Sequence, residues 1–477
     1  MKIKKIKKNT ILLTLIITIQ FLALIYLVSQ NGALIWDEPV YLANARDKIT
    51  HSNFSEDFRF PLLSTIIAGT WMITGESIII AQILMILITI ATTITFFFIA
   101  KQYLKENYAL LATLLFALTT QTITWGFRIY TDILGILLTL ITLLILIEAD
   151  KEKTNKKQTL YILLAGIFAG LAFTARLSTI IILIILGIYF LLKKHWIQRS
   201  IIFTTGFIIS LMPWLIHGAI NHNNPLYFAL SQTTAILEYT ARESPRLLMN
   251  YITNEYGFAI ILILLNIIYF KKQIKTSPRK KTTNNKTQIK EYREKIILIL
   301  TILLTQIIFY AFIVKLKLAR YLIELSPFII LLIITGIQAT ENIKIKHQKT
   351  ITILLIIIAL TTILTPTIQN YQEIKEQEKC TSNGALKKSI NYIDENTQQG
   401  DRIVSSIWVY YGYHNNLKVS SPWTEDVELL IKKHDPKYFI LSENVGVPLN
   451  NKTLLEPKIK FEDGCGWDIT IYKPQKS

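Results

Sequence analysis

The sequence predicts a polytopic α-helical membrane protein with a small α/β domain at its C-terminal end. Three observations predict it: 51% of the 477 residues are hydrophobic and only 18% charged, long apolar runs recur from Ile11 to about Pro366, and the lysines and arginines are gathered between those runs. No soluble fold of this length needs so many apolar runs.

The first ten residues, MKIKKIKKNT, have the charge of a signal-peptide n-region, but the run from Ile11 to Val28 is long and lacks a small-residue cleavage pattern. A retained first span is expected. Further spans are expected near 78–100, 108–125, 132–148, 160–175, 177–192, 200–218, 257–270, 296–314, 321–339 and 350–366, which makes about 11 transmembrane helices with the N-terminus inside. The segment 160–192 reads as a hairpin, because one helix of that length would run to roughly 50 Å against a hydrocarbon core of about 30 Å, with Arg176 near its middle.

The formal net charge of +18 raises the question of nucleic acid, but its distribution answers it. Basic clusters at 2–8, 101–105, 151–157, 193–199, 271–295 and 344–349 sit at alternating chain exits, the positive-inside pattern, so no nucleic-acid partner is expected. The loop 271–295 is rich in Lys, Thr and Asn with no apolar period, and reads as a disordered cytoplasmic linker.

After Pro366 the composition changes. GALKKSINYIDENTQ reads as an amphipathic helix, DRIVSSIWVY as a strand, TEDVELLIKKH as a second helix, and KYFILSE and WDITIYK as strands, so residues 367–477 are expected to form a soluble extracytoplasmic α/β domain. The only two cysteines, Cys380 and Cys465, fall here; a disulfide and two unpaired thiols are both open, and neither has metal-ligand spacing. The chain shows no repeat of 20 to 50 residues, Gly-rich phosphate loop, zinc-spaced Cys/His set or G-x-S-x-G elbow. Chemistry must then come from polar residues at the outer ends of the spans.

Four places supply them. In WDEPVYLANARD, Asp37 and Glu38 precede Pro39 and a short helix that carries Tyr41. Capping that helix is one reading; a general base with a partner that tunes it is the other. In WGFRIYTDILG, Arg128 and Asp132 stand four apart, which allows an ion pair on one helix face, and Asp132 can also start the next span. Arg176 in TARLS is a snorkelling cation or a ligand-binding one. In KLKLARYLIELSPF, Lys315, Lys317 and Arg320 are basic on the outer side; they can hold a lipid phosphate, or Arg320 can pair with Glu324.

Together these stretches resemble the GT-C-fold glycosyltransferases that use lipid-phosphate sugars, in particular the group of protein O-mannosyltransferases and the aminoarabinose transferase of lipid A. WDEPVYLANARD resembles the first outer loop of that family, and FRFPLLSTIIAG its Pro-Leu segment, although Arg59-Phe60-Pro61 stands where the family often has His-Pro-Pro. YTDILG resembles the second acidic loop, and AGIFAGLAFTARLS a small-residue span ending in a cation. LMPWLIHGAINHNNPLYF and ARYLIELSPF resemble two later stretches, so the match runs in order over about residues 11 to 340. No Trp-Trp-Asp motif is present, which disfavours whole-glycan transfer to Asn.

The resemblance implies a GT-C-like membrane domain over 1–366 and transfer of a sugar from a polyprenyl-phosphate donor to a hydroxyl of a protein or lipid acceptor. It implies Asp37, Glu38 and Asp132 as catalytic acids and bases, Arg128, Arg176, Lys315, Lys317 and Arg320 as phosphate ligands, and Tyr41 and Tyr321 as substrate contacts. No cofactor is certain; a divalent cation is possible, since members of the superfamily differ in that need. A transporter or lipid flippase, or a membrane scaffold displaying the C-terminal domain, are the competing readings.

Overall fold

The computed structural model describes the whole chain except residues 1, 31–33, 51, 57–58, 153, 192–194, 239–242, 265–282, 342–346, 383, 423–425, 443–451, 463–467 and 476–477. The helices run, in chain order, α1 Lys2–Ser29, α2 Glu38–Thr50, α3 Leu62–Thr74, α4 Ile78–Tyr103, α5 Glu106–Ala117 and α6 Thr120–Trp125. They continue as α7 Thr131–Lys151, α8 Asn155–Ala175, α9 Thr179–Leu191, α10 Trp196–His222, α11 Tyr227–Glu238 and α12 Pro245–Tyr256. The last are α13 Thr283–Ile308, α14 Leu322–Thr340, α15 Gln348–Ser382, α16 Ala385–Asn396, α17 Trp408–His414 and α18 Val427–His434.

Among the described residues, eight helices are long and apolar enough to cross a membrane, and Leu62–Thr74, Glu106–Ala117 and Thr179–Tyr189 are shorter apolar helices. The eight correspond to eight of the expected spans. Of the other three, 108–125 divides between α5 and α6, 177–192 becomes the short α9, and 257–270 opens as a 3-10 turn, Gly257–Ile261, and leaves the described residues after 264. The hairpin expected in 160–192 is present: α8 ends at Ala175, Arg176 is extended, and α9 starts at Thr179. In the 271–295 loop, residues 283–295 are not a disordered linker but the start of α13; residues 271–282 lie outside the description, as does the Cys380–Cys465 question.

The chain forms two compact units. The membrane unit comprises residues 1–24, 85–127 and 131–371, and the second unit residues 25–84, 128–130 and 372–477. Within the membrane unit, α14 is buried along almost its whole length, whereas Ile353, Leu354 and Ile357 of α15 stay exposed. A fully buried helix takes the bundle centre, and an exposed apolar face belongs against lipid. The small residues of α8 let α10 approach closely: a Cβ on Gly166 would lie 2.1 Å from the Phe203 carbonyl oxygen, and one on Gly206 2.2 Å from that of Leu163.

The second unit holds a five-stranded sheet of order β2-β1-β3-β5-β4. Its strands are β1 Arg402–Ser405, β2 Lys418–Ser420, β3 Tyr438–Ser442, β4 Leu455–Phe461 and β5 Ile469–Pro474. β1 pairs in parallel with β2 and β3, and β5 antiparallel with β3 and β4. Val404 and Phe439 of the sheet pack with Val427 and Leu430 of α18 in its core. The strand expected over 401–410 stops at Ser405, and Trp408–His414 winds into α17. Gly412 of α17 packs so closely on Phe54 that a Cβ there would meet its ring at 2.4 Å. That tertiary contact overrides the β-propensity of WVYYGY.

Candidate functional site

Two buried clusters of charge stand out, one in each unit. In the second unit the chain turns at Trp36, whose φ of 30° is a strained value for a bulky residue. The Trp36 N–H is held by the Tyr410 hydroxyl at 2.9 Å, and the Asp37 N–H by the Tyr130 hydroxyl at 3.4 Å. Two consecutive backbone groups pinned by tyrosines fix where Asp37 points.

Asp37 is 5% exposed and its Oδ1 accepts from an Arg59 nitrogen at 2.9 Å. Arg59 also donates from Nε to Glu56 at 3.1 Å, so one guanidinium bridges two acids. Burial works against the Arg59 cation, but Asp37 and Glu56 outweigh it and hold its proton more tightly than usual. The other Glu56 oxygen accepts from the Trp408 indole N–H at 2.8 Å, and Asn44 exchanges two hydrogen bonds with the Glu56 backbone.

Glu38 does a different job from its neighbour. It is fully buried, its Oε1 accepts from the Ile129 N–H at 2.8 Å, its Oε2 from the Ile35 N–H at 2.5 Å, and Arg128 lies 3.4 Å away. Burial raises its pKa, and Arg128 with the two N–H groups opposes that rise. Glu38 thus ties the entry of α2 to the 128–130 turn. Tyr41 is buried beside it, its carbonyl accepting from the Ser64 hydroxyl at 3.0 Å.

In the membrane unit Asp132, in the first turn of α7, pairs with Arg176 at 2.7 Å. Arg176 also pairs through Nε with Glu324 of α14 and donates to the Ser178 hydroxyl at 2.9 Å. Ser178 donates to Glu324 at 2.6 Å, and Gln306 to its other oxygen at 3.3 Å. The Tyr321 ring stacks on Tyr310 at 4.7 Å and lies 5.5 Å from the Arg176 guanidinium. Gly135 gives Arg176 its room, since a Cβ there would lie 3.3 Å from the arginine Cβ.

Several expectations change at this point. The i, i+4 pair of Arg128 with Asp132 does not form, because α7 starts only at Thr131; Arg128 goes to Glu38 and Asp132 to Arg176. Arg176 is an ion-paired, partly buried cation rather than a snorkelling one. Lys317 is buried, its ammonium donating to the Val314 carbonyl of its own loop and its backbone N–H to Glu243. Lys315 contributes its carbonyl to the Glu243 N–H at 3.1 Å, and Arg320 sits half-buried in the 3-10 turn before α14. Among the described residues, no three His, Cys, Asp or Glu side chains gather as metal ligands.

Arg59, Glu56, Trp408, Ser178 and Glu324 are the site residues that pattern reasoning did not select. Arg59 carried a signal, since it stands where the resembled family has His. Glu324 was visible only as a partner for Arg320. Nothing local marks Trp408, which reaches Glu56 across 352 positions of sequence.

Comparison with known proteins gives the cluster a setting. The family model for dolichyl-phosphate-mannose-protein mannosyltransferases matches residues 59–217. No curated protein shows significant sequence similarity to the chain. The crystal structure of ArnT from Cupriavidus metallidurans is similar with a TM-score of 0.65 in the apo state and 0.66 bound to undecaprenyl phosphate, at 9% and 10% identity, over 96% of this chain and 97% of that one. The archaeal oligosaccharyltransferase AglB from Archaeoglobus fulgidus, in complex with an inhibitory peptide and a dolichol-phosphate, is similar with a TM-score of 0.60 at 10% identity, over 90% of this chain and 69% of that one.

Proposed function

We propose that the chain, a multi-pass membrane glycosyltransferase of the GT-C fold, moves a sugar from a polyprenyl-phosphate donor to an acceptor hydroxyl on the outer face of the membrane, with Asp37 as the general base. The observation that carries this reading is the setting of Asp37: a buried carboxylate next to a strained turn, anchored by Arg59 on one side of an otherwise satisfied network. Relatives of the same fold solved with undecaprenyl phosphate and dolichol-phosphate support a lipid phosphate as the leaving group.

Asp37 takes the proton of the acceptor hydroxyl as its oxygen attacks the anomeric carbon. The bond from that carbon to the phosphate oxygen breaks, configuration inverts, and the lipid phosphate leaves with the electron pair. Glu38 and Arg128 hold the turn in place, and Arg59 orients the base. Arg320 and Lys315 are the cations proposed for the donor phosphate, whereas Arg176, committed to Asp132 and Glu324, joins α7, the α8–α9 turn and α14. Residues 1–366 serve as the transfer domain and residues 367–477 as an extracytoplasmic domain.

The test is release of polyprenyl phosphate by the purified protein, measured with a panel of polyprenyl-phosphate sugars and detergent-solubilised acceptor lipids and proteins. Donor-dependent release is expected with one sugar preferred. Movement of intact donor across a vesicle membrane with no release would replace transfer by flipping.

A further inference from the structure

Within the second unit a cleft of about 380 Å³ is lined by Asn53, Phe54, Ser55 and Glu56 on one side. Arg402, Lys418, Val419, Ser420, Ser421, His434 and Trp408 complete it. Its volume falls in the range of small-molecule sites, about 300–1,000 Å³. No role assigned above uses its basic wall.

Among the described residues, no ion pair compensates the two cations of that wall. Arg402 and Lys418 are exposed on neighbouring parallel strands and stand directly opposite each other in register. Like charges so placed repel, and neither has an ion-pair partner among the described residues. Glu56 does not neutralise them, because its two carboxylate oxygens already accept from Trp408 and Arg59. Polar groups fill the remainder: His434 Nδ1 lies 3.3 Å from the Ser420 hydroxyl, and among the described residues the buried Ser421 hydroxyl oxygen has no hydrogen-bond partner. A buried hydroxyl without a partner costs free energy until something occupies the site.

From this arrangement we infer that the cleft binds an acidic saccharide, a hydroxyl-rich ligand bearing a carboxylate or phosphate, as the recognition element of the acceptor. The anion lies between Arg402 and Lys418, where it relieves their repulsion. The sugar hydroxyls meet Ser421, Asn53 and Ser55, and a ring face packs on Trp408, whose N–H is already committed to Glu56. An acidic peptide would satisfy the cations as well, but tetraglutamate has no flat ring face to lay on Trp408. The same Glu56 that walls the cleft grips Arg59, and Arg59 grips Asp37, so an occupant sits one carboxylate and one guanidinium away from the proposed base.

This inference rests on the glycosyl-transfer reading only for the word acceptor; the binding itself is measured without any donor. Full-length protein in nanodiscs of zwitterionic lipid is titrated with cellobiouronic acid, with neutral cellobiose, and with a tetraglutamate peptide, by saturation-transfer NMR and calorimetry. Cellobiouronic acid is expected to bind saturably and to weaken with salt, and cellobiose to bind at least about tenfold more weakly, the scale of one charge-assisted contact. Arg402→Gln with Lys418→Gln should weaken the acid by about tenfold or more and leave acceptor-independent donor hydrolysis unchanged. Ser421→Ala should weaken both sugars together.

Binding of cellobiouronic acid that the double variant leaves intact overturns the cleft. Tighter binding of tetraglutamate through the same two cations replaces the saccharide by a peptide. Failure of the cleft with donor cleavage intact removes only this inference, and binding with no donor cleavage removes only the transfer reading.

Discussion

Asp37–Arg59–Glu56 in the second unit and Asp132–Arg176–Glu324 in the membrane unit are the same device: one partly buried arginine between a buried aspartate and a buried glutamate. They differ in what surrounds the acids. Glu56 is committed to an indole of the C-terminal sheet domain, and Asp37 follows a strained turn held by two tyrosine hydroxyls. Glu324 is bound by Ser178 and Gln306, while Asp132 reaches only Arg176 and its Oδ2 has no hydrogen-bond partner among the described residues. The first triad connects loop to domain and presents a carboxylate. The second joins α7, the α8–α9 turn and α14, and holds the bundle together.

Breaking the membrane triad is expected to have the largest effect. Arg176→Ala strands two buried carboxylates, and losing one member of a buried pair costs about 3–5 kcal/mol. A large fall in thermal stability in detergent is therefore expected, with Arg176→Lys intermediate because an ammonium cannot copy the two-sided contact. If Arg176→Ala melted normally and only raised the KM for donor, Arg176 would be a phosphate ligand and the second triad would not be what holds the bundle together.

Asp37→Asn should come next. Asn can still accept from Arg59, so the variant is expected to fold, yet it cannot take a proton, and transfer should fall by at least roughly 10²-fold. Near-normal transfer would strip the first triad of its proposed chemistry and make Asp132, with its unsatisfied oxygen, the acid to test. Glu38→Gln, by contrast, is a lesion of structure, because both Glu38 oxygens accept backbone N–H groups and an amide can accept at only one.

The two triads were not equally legible in the sequence. Span positions came out well because hydropathy over some twenty residues is a strong signal, and the break at Arg176 followed from helix length alone. Asp37, Glu38 and Asp132 were visible because acids beside spans are rare. Their partners were not: Glu324 lies 148 positions from Arg176 and Trp408 lies 352 from Glu56, and no local spacing reports such pairing. The C-terminal strands β2 and β4 were missed for a related reason. β2 is three residues long and β4, LEPKIKF, carries a proline and three charges and is largely exposed, so both depend on their neighbours.

A smaller effect tests whether the first triad depends on the sheet domain. Trp408→Phe keeps an aromatic ring but removes the N–H that Glu56 accepts. Such a bond to a charged acceptor is worth about 1.5–3 kcal/mol, and Arg59 still holds the other oxygen, so a drop of about tenfold in kcat/KM with normal membrane insertion is expected. No change in kcat/KM would mean that Glu56 needs only Arg59.

The smallest effect is expected where an ion pair lies at the surface, and it calibrates the two buried triads. Asp401 Oδ2 accepts from Lys437 at 2.7 Å and from the Gln398 N–H at 2.8 Å, with both side chains partly exposed. The hydrogen bond from Lys437, helped by that N–H, holds the Asp401 carboxyl below its ordinary range. A depressed carboxylate pKa adds stability that is present above the unfolded value and is lost as pH falls through the folded one, so the contribution should fade only under acid conditions. Solvent screens the pair, so Asp401→Asn should cost under about 1 kcal/mol at neutral pH and nothing further once the wild type is protonated. Melting curves of the two proteins from pH 7 down to about pH 3 should converge. A loss at neutral pH as large as that of Arg176→Ala would show that burial is not what separates these pairs, and the contrast between surface and triad would have to be abandoned.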